Sequence, residues 1–188
     1  MSAALSTMAI THDNRPVAVV GYGPSAAAPA LRVLLGVAIE ELNPYDLAMG
    51  RAGEGSYRAV VVENFRPRRC DRGLSECAAA RWAVPGRPLT VVSLDDPAGR
   101  RLARRLGDRA FAYSDGRTQA DLTAKNVNLR WGRLEFEALT DRDIARVRLP
   151  AEESVELYGP LAALACAVGL GMPLWEAVSR LGQSRPSV

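Results

Sequence analysis

The sequence predicts an α/β fold, a three-layer domain built on a parallel sheet with a small antiparallel β meander. Short β-branched apolar runs alternate with helical segments from residue 16 to residue 113, which is typical of parallel strands covered by helices. After Ser114 the period changes, and apolar positions alternate with polar ones, as in antiparallel strands with one exposed face. These two patterns, in this order, define the predicted fold class.

The predicted elements of the parallel part follow from local composition. Apolar runs predict strands at residues 16–21, 37–39, 58–62, 89–92 and 110–113. Helical composition is found at residues 25–35, at residues 73–83, and after the Asp95-Asp96-Pro97 turn. Residues 43–55 are rich in Asn, Pro and Gly and are predicted to be turns. Asp95 and Asp96 should form their turn and not a paired-carboxylate site, because adjacent residues leaving a strand point apart.

The second half of the chain predicts a three-stranded meander followed by two helices. The meander strands are residues 121–131, 133–139 and 143–149, and the helices are residues 154–168 and 173–181, separated by a Gly-x-Gly break. Trp82, Trp131 and Trp175 do not cluster in sequence, so we expect them to pack in the core or against turns.

Composition favours one domain and excludes several kinds of partner. The chain has 188 residues, of which 48% are hydrophobic, so residues 16–188 should form one domain after a disordered lead-in at residues 1–15. The formal charge of +3 does not argue for a nucleic-acid partner. The most apolar stretch, residues 161–174, is broken by Gly and Pro and is shorter than the roughly 20 residues of a membrane span. We therefore expect neither nucleic acid nor membrane as a partner.

The scarcity of histidine removes familiar catalytic arrangements. His12 is the sole histidine and lies in the lead-in, which excludes Ser-His-Asp and Cys-His catalysis and any multi-histidine metal site. The three cysteines lack C-x-x-C spacing, so neither a disulfide framework nor a zinc site is predicted, and a reducing, cytoplasmic location is expected.

A glycine-rich turn follows the first predicted strand. Gly21-Tyr22-Gly23-Pro24-Ser25-Ala26 has the G-x-G-x-x-A form of a dinucleotide fingerprint, with Glu41 20 residues beyond Gly21. Pro24 removes a backbone donor that would face a pyrophosphate, and such turns also occur without nucleotides. The pattern alone leaves both interpretations open.

Several passages together resemble the central domain of the Mur ligases, which make ATP-dependent amide bonds during peptidoglycan precursor assembly. The most specific are the D-D-P block, the passage AVVVEN at residues 59–64, the segment DLTAKNV at residues 121–127, and the closing helix pair. The resemblance covers about residues 17–182.

This resemblance places the family's P-loop on the glycine-rich turn. Gly21 and Gly23 are retained, whereas Ser25 and Ala26 occupy the places of the lysine and of the hydroxyl residue. A P-loop needs that lysine for the β and γ phosphates and that hydroxyl for magnesium. We therefore expect weak or no ATP binding, and no cofactor.

The same resemblance implies that the metal and catalytic positions are altered. Glu41 falls on the family's metal-binding glutamate, but Arg68 and Arg69 replace its Asp-His pair. Arg81 takes the place of the lysine that is carbamylated in many of these ligases, and arginine stays protonated. In the closing segment the histidine and asparagine places fall on Val155, Glu156 and Gly159. No catalytic residue and no bound metal are expected.

A cluster of arginines follows the third predicted strand, where open α/β sheets bind ligands. It comprises Arg66, Arg68, Arg69 and Arg72. It is a candidate anion-binding site, and the alternative is a solvated loop.

The sequence thus predicts a bacterial, non-catalytic Mur-ligase-like protein, a pseudoenzyme linked to cell-wall or amide-ligase pathways. It would act by binding an anionic ligand or a protein partner, as a homodimer or together with an active ligase. The alternative is a nucleotide-dependent enzyme, either a divergent ATP-dependent amide ligase fragment or a dinucleotide-binding protein using Gly21-Tyr22-Gly23.

Overall fold

The computed structural model describes residues 13–48, 57–63, 88–117, 119–150 and 157–182. Within these residues the strands are β1 (Val17–Val20), β2 (Ile39–Leu42), β3 (Ala59–Val62), β4 (Leu89–Ser93), β5 (Ala110–Asp115), β6 (Leu122–Arg130), β7 (Arg133–Leu139) and β8 (Ile144–Pro150). The helices are α1 (Ala28–Leu35), α2 (Pro44–Ala48), α3 (Pro97–Leu106), α4 (Tyr158–Gly169) and α5 (Leu174–Gly182). A short 3₁₀ turn, Gly107–Arg109, follows α3.

All eight strands belong to one sheet in the order β2-β1-β3-β4-β5-β6-β7-β8. The strands from β2 to β6 pair in parallel, and β6, β7 and β8 pair antiparallel. The predicted α/β class and the meander are confirmed. The meander extends the main sheet, because Tyr113 on β5 pairs in parallel with Leu122 on β6.

Helices cover both faces of this sheet and create two hydrophobic cores. Val17 and Val19 of β1 pack in the core formed with α1, α4 and α5, whereas Ala18 and Val20 pack in the core formed with α3. Because β1 and β3 are buried on both faces, their sequences are continuous apolar runs without alternation. Helix α4 is buried almost throughout and forms the centre of the larger core.

Two local predictions are wrong. The second strand, predicted to stop before Glu40 and Glu41, contains both of them, since β2 lies at the edge of the sheet and both positions are exposed. Residues 44–48, predicted as turn, form α2, which Asn43 caps by accepting a hydrogen bond from the backbone N–H of Asp46 at 3.0 Å. The predicted helix at residues 73–83 lies outside the described residues, as does most of the lead-in.

The tryptophan prediction also needs correction. Trp131 is 97% exposed in the β6–β7 turn, and Trp175 is 68% exposed on α5. Trp82 lies outside the described part of the chain.

Cys166 is a free thiol in the core, and burial raises its pKa to about 12. Among the described helices, none combines the length and apolarity needed to cross a membrane.

Candidate functional site

The glycine-rich turn forms a loop, residues 21–27, at the carboxyl end of β1. We call it the glycine loop. β1 pairs with β2 on one side and with β3 on the other, so the strand order of the sheet reverses at β1. Open α/β sheets usually bind ligands at the carboxyl ends of the strands next to such a reversal, which is where this loop lies. Gly21 donates its backbone N–H to Leu42 at 3.1 Å, and Gly23 adopts a φ of 89°, in the left-handed region that favours glycine.

Two carboxylates of the chain occupy the backbone donors of this loop. Glu41 Oε2 accepts from the N–H of Ser25 at 3.0 Å, and Glu63 Oε1 accepts from the N–H of Ala27 at 2.6 Å. The Ser25 side chain accepts from the N–H of Ala28 at 2.9 Å and also hydrogen bonds to Glu63. The N–H of Ala26 is likewise bonded to Glu63. These are the groups that a phosphate-binding loop points at its ligand.

Burial is the main influence on the charge of Glu63. It raises the pKa of this carboxyl above the ordinary value, and the nearby charge of Glu41 acts in the same direction. Hydrogen bonds from Ala27 and Ser25 act against the shift without cancelling it. The loop therefore holds the Glu63 carboxylate at some electrostatic cost.

A phosphate at this position would meet two obstacles. It would have to replace Glu41 and Glu63 at the backbone donors, and it would lie near their negative charges. Two unit charges about 4 Å apart repel by about 4 kcal/mol at an effective dielectric constant of 20. Without a lysine to offset this term, the arrangement disfavours a nucleotide phosphate.

Helix α4 approaches the glycine loop through Gly159. A Cβ at Gly159 would collide with the carbonyl oxygen of Ala26 and lie 2.7 Å from its carbonyl carbon. Gly159 is one of the residues that the resemblance sets against the adenine-contacting segment of the family. The absence of a side chain at Gly159 lets α4 pack directly against the backbone of the loop.

The structure brings some predicted site residues together and leaves others outside its described part. Gly21, Gly23, Ser25, Ala26 and Glu41 meet at the carboxyl ends of β1 and β2. Glu41 also forms an ion pair with Arg32, 3.3 Å between Oε1 and the guanidinium. The arginine cluster and the catalytic-lysine position lie outside the described residues; these are Arg66, Arg68, Arg69, Arg72 and Arg81.

Sequence analysis missed the role of Glu63. It placed Glu63 directly after the third predicted strand, residues 58–62, and gave it no role. The available signal was topological: β1 lies between β2 and β3, so a carboxylate at the end of either neighbour can reach the loop after β1. In the described residues, no group of three or more His, Cys, Asp or Glu side chains is arranged to hold a metal ion.

A second polar cluster, centred on Asp95, lies further along the same edge. Asp95 accepts from the Ser114 hydroxyl and the Asp115 N–H, both at 2.7 Å, and from Tyr158 at 3.4 Å. Asp96 points elsewhere and caps α3, accepting from the backbone N–H groups of residues 98 and 99 at 3.1 and 3.3 Å. The two carboxylates point apart, as the sequence predicts, but only Asp96 serves the turn; the Asp95 carboxylate instead ties β4 and β5 to the start of α4.

Comparison with known proteins points to one family. No family model matches the chain. It is 32% identical over 154 residues to a UDP-N-acetylmuramoyl-L-alanyl-D-glutamate–2,6-diaminopimelate ligase of Alkalilimnicola ehrlichii, covering 78% of this chain and 31% of the relative. The enzyme of the same name from Synechococcus is 32% identical over 167 residues, covering 80% of this chain and 33% of the relative.

Solved structures agree with this fold. MurF from Acinetobacter baumannii matches with a TM-score of 0.70 at 15% identity, over 92% of this chain and 46% of that one. A structure of a UDP-N-acetylmuramoyl-L-alanyl-D-glutamate–2,6-diaminopimelate ligase matches with a TM-score of 0.74 at 14% identity, over 93% and 47%.

The fold is thus that of a ligase-type α/β domain. The chain belongs among the Mur ligases as a relative that spans about a third of the length of the curated enzymes it matches.

Proposed function

We propose that this chain is a non-catalytic relative of the Mur ligases that acts by binding an anionic ligand or a protein partner, in a pathway of cell-wall or amide-ligase chemistry. The observation that carries the proposal is the occupation of the glycine loop by Glu41 and Glu63. It stands beside the sequence changes at the places of the P-loop lysine and hydroxyl, Ser25 and Ala26. The kinship with ligases of peptidoglycan precursors supplies the pathway.

A second candidate is a divergent ATP-dependent amide ligase that another chain completes. Its support is the kinship itself, together with a glycine loop that retains its position after β1 and the left-handed Gly23. In this alternative the carboxylates would have to leave the loop when nucleotide arrives.

Titration calorimetry with Mg-ATP distinguishes the two. The wild-type chain should bind no more tightly than about 1 mM, equivalent to roughly 4 kcal/mol. A restored-loop variant, Ser25→Lys with Ala26→Thr and Glu63→Gln, should bind measurably more tightly, because it regains a phosphate-binding cation and loses one opposing charge.

The matched control is Glu135→Gln, which removes an exposed carboxylate on β7 and should leave binding unchanged. A micromolar dissociation constant for the wild type would refute the proposal in favour of the ligase alternative. NAD serves as the control for a dinucleotide site, and it should not raise the melting temperature.

A further inference from the structure

The turn between β6 and β7 holds an exposed tryptophan in a strained backbone conformation. Trp131 has a φ of 51° and is followed by Gly132 with a φ of 70°, so both central residues of this two-residue hairpin turn are left-handed. Such a turn favours Asn or Asp before Gly, and a bulky residue there is an outlier. Because Trp131 is 97% exposed, its indole buries almost no surface against the rest of the chain and therefore contributes little to the stability of the fold.

Two arginines flank this tryptophan and face each other across the hairpin. Arg130 pairs in register with Arg133, which places like charges directly opposite, an unfavourable arrangement. Further along the same sheet, Arg146 and Arg148 form ion pairs with Glu137 and Glu135 at 3.5 and 3.6 Å. Within the described parts of the chain, neither Arg130 nor Arg133 has such a partner. We call these residues, 130–133, the hairpin tip.

A cavity of about 570 Å³ lies at the other end of the same strands. Its apolar floor includes Phe111, Met172 and Leu174, and its rim includes Asp141 and Asp143 in the β7–β8 turn. The volume falls within the range of about 300 to 1,000 Å³ that is usual for ligand pockets. We call it the acid-rimmed cavity, although Lys125 and Arg142 also line it.

The hairpin tip and the acid-rimmed cavity are complementary. The indole can enter the apolar floor, where the cation Lys125 suits the face of an aromatic ring. The two guanidiniums can then pair with Asp143 and with Asp141, whose only ion pair in the described residues is a solvent-exposed one with Arg142 at 3.4 Å. Tryptophan and arginine are also the side chains enriched at the energetic centres of protein interfaces.

We infer that the hairpin tip of one copy of this chain docks in the acid-rimmed cavity of a second copy. This deepens the binding role proposed above and rests on it, by naming the partner. Lys125 at the cavity and Arg130 at the tip are five residues apart on β6, so about 17 Å of strand separates the two features and a chain cannot fill its own cavity. The contact is head-to-tail, which builds rings or open chains of subunits and not a closed pair.

Sedimentation velocity over a concentration series tests this with two complementary variants. The tip variant is Trp131→Ala with Arg130→Ala and Arg133→Ala; the cavity variant is Asp141→Lys with Asp143→Lys. The wild type should associate beyond dimers, whereas each variant alone should associate at least tenfold more weakly. Mixing the two variants should restore association and stop at one-to-one dimers, since one intact tip meets one intact cavity.

Matched controls use surface residues away from both features. Tyr45→Ala removes another exposed aromatic side chain, on α2, and Arg104→Ala with Arg105→Ala removes two exposed charges on α3. Both should associate like the wild type, and circular dichroism should show that every variant is folded. If a multiple variant fails to fold, Trp131→Ala alone should still weaken association measurably.

Three results would overturn the inference: a wild type that stays monomeric at every concentration, variants that associate like the wild type, or a mixture that stays monomeric. None of them depends on the Mg-ATP titration, so the two proposals can fail separately.

Discussion

The glycine loop and the hairpin tip differ in whether their polar and charged groups are paired within the chain. In the glycine loop, the exposed ends of parallel strands are closed by the chain's own side chains, with Glu41 and Glu63 on the backbone donors. In the hairpin tip, Trp131 keeps a strained backbone and Arg130 faces Arg133. The backbone donors of the glycine loop are paired within the chain. In the described residues the two arginines of the hairpin tip have no carboxylate partner, so a partner molecule would have to supply one. The binding surface that we propose therefore lies away from the ligand-binding place usual for this fold.

The largest loss of stability is expected from a substitution where α4 packs against the glycine loop. Gly159→Asn places a side chain against the backbone of Ala26, which cannot move aside as a flexible side chain would. We expect a loss of about 3 kcal/mol in the free energy of unfolding, at the upper end for overpacking. Urea denaturation measures it. Gly182→Ala is the control, because its Cβ would lie 3.9 Å from the nearest atom, and it should change stability by less than 1 kcal/mol in either direction. An equally stable Gly159→Asn would show that the loop is not held against α4.

The second largest loss of stability is expected when the Glu63 carboxylate is removed. Glu63→Ala removes the 2.6 Å acceptor of the half-buried Ala27 N–H, which keeps only its 3.1 Å hydrogen bond to the Ser25 hydroxyl, so we expect a loss of about 1.5 kcal/mol in the free energy of unfolding. Glu63→Gln keeps an acceptor and should cost much less. Thermal or urea unfolding of the pair gives the comparison, and equal losses in both variants would contradict the hydrogen-bonding role.

The hairpin tip should respond in the opposite direction. Trp131→Asn places a residue that tolerates the left-handed conformation before Gly132, so the free energy of unfolding should rise by about 1 kcal/mol. Trp131→Ala keeps a Cβ at the same strained position and should gain little. A melting-temperature comparison of the two variants tests whether strain, and not the loss of the indole, is responsible.

The smallest expected effect is a pH dependence of the glycine loop. The folded-state pKa of Glu63 is raised above its ordinary value of 4.5, so the stability gained from its neutral form is present below about that pH. It is lost as the pH rises through the raised value. Wild-type stability should therefore fall relative to Glu63→Gln between pH 4 and neutrality, in urea unfolding at a series of pH values. A difference that does not change with pH would mean that Glu63 is not buried enough to matter.

Much of the fold was predictable, because its signals are local. Buried parallel strands give continuous apolar runs such as residues 59–62, and the half-exposed meander gives alternation. The edge strand β2 was misjudged because Glu40 and Glu41 look like a stop signal, although an edge strand tolerates polar residues on both faces. Helix α2 was missed because Asn43 and Pro44 are turn formers that also begin helices.

The position of the candidate site was predictable from the sequence, but the side chains that bond to its backbone donors were only partly predictable. The glycines and Glu41 were found from spacing and resemblance. The hydrogen bond from Ala27 to Glu63 was not found, because it joins residues 36 positions apart and forms only when β3 lies beside β1 in the sheet. The hairpin tip was missed for a different reason. A tryptophan in sequence suggests packing, and only the φ of Trp131 and its exposure show that it is strained and unpacked.

The most direct test of the central claim is an NMR titration of the backbone amides of Ser25 and Ala27 in the wild-type chain with Mg-ATP. If Glu41 and Glu63 hold these donors, their resonances should stay in place up to about 1 mM nucleotide, and they should move in the restored-loop variant. A saturable shift of both wild-type amides at micromolar Mg-ATP would show that nucleotide displaces the carboxylates, and would contradict the account.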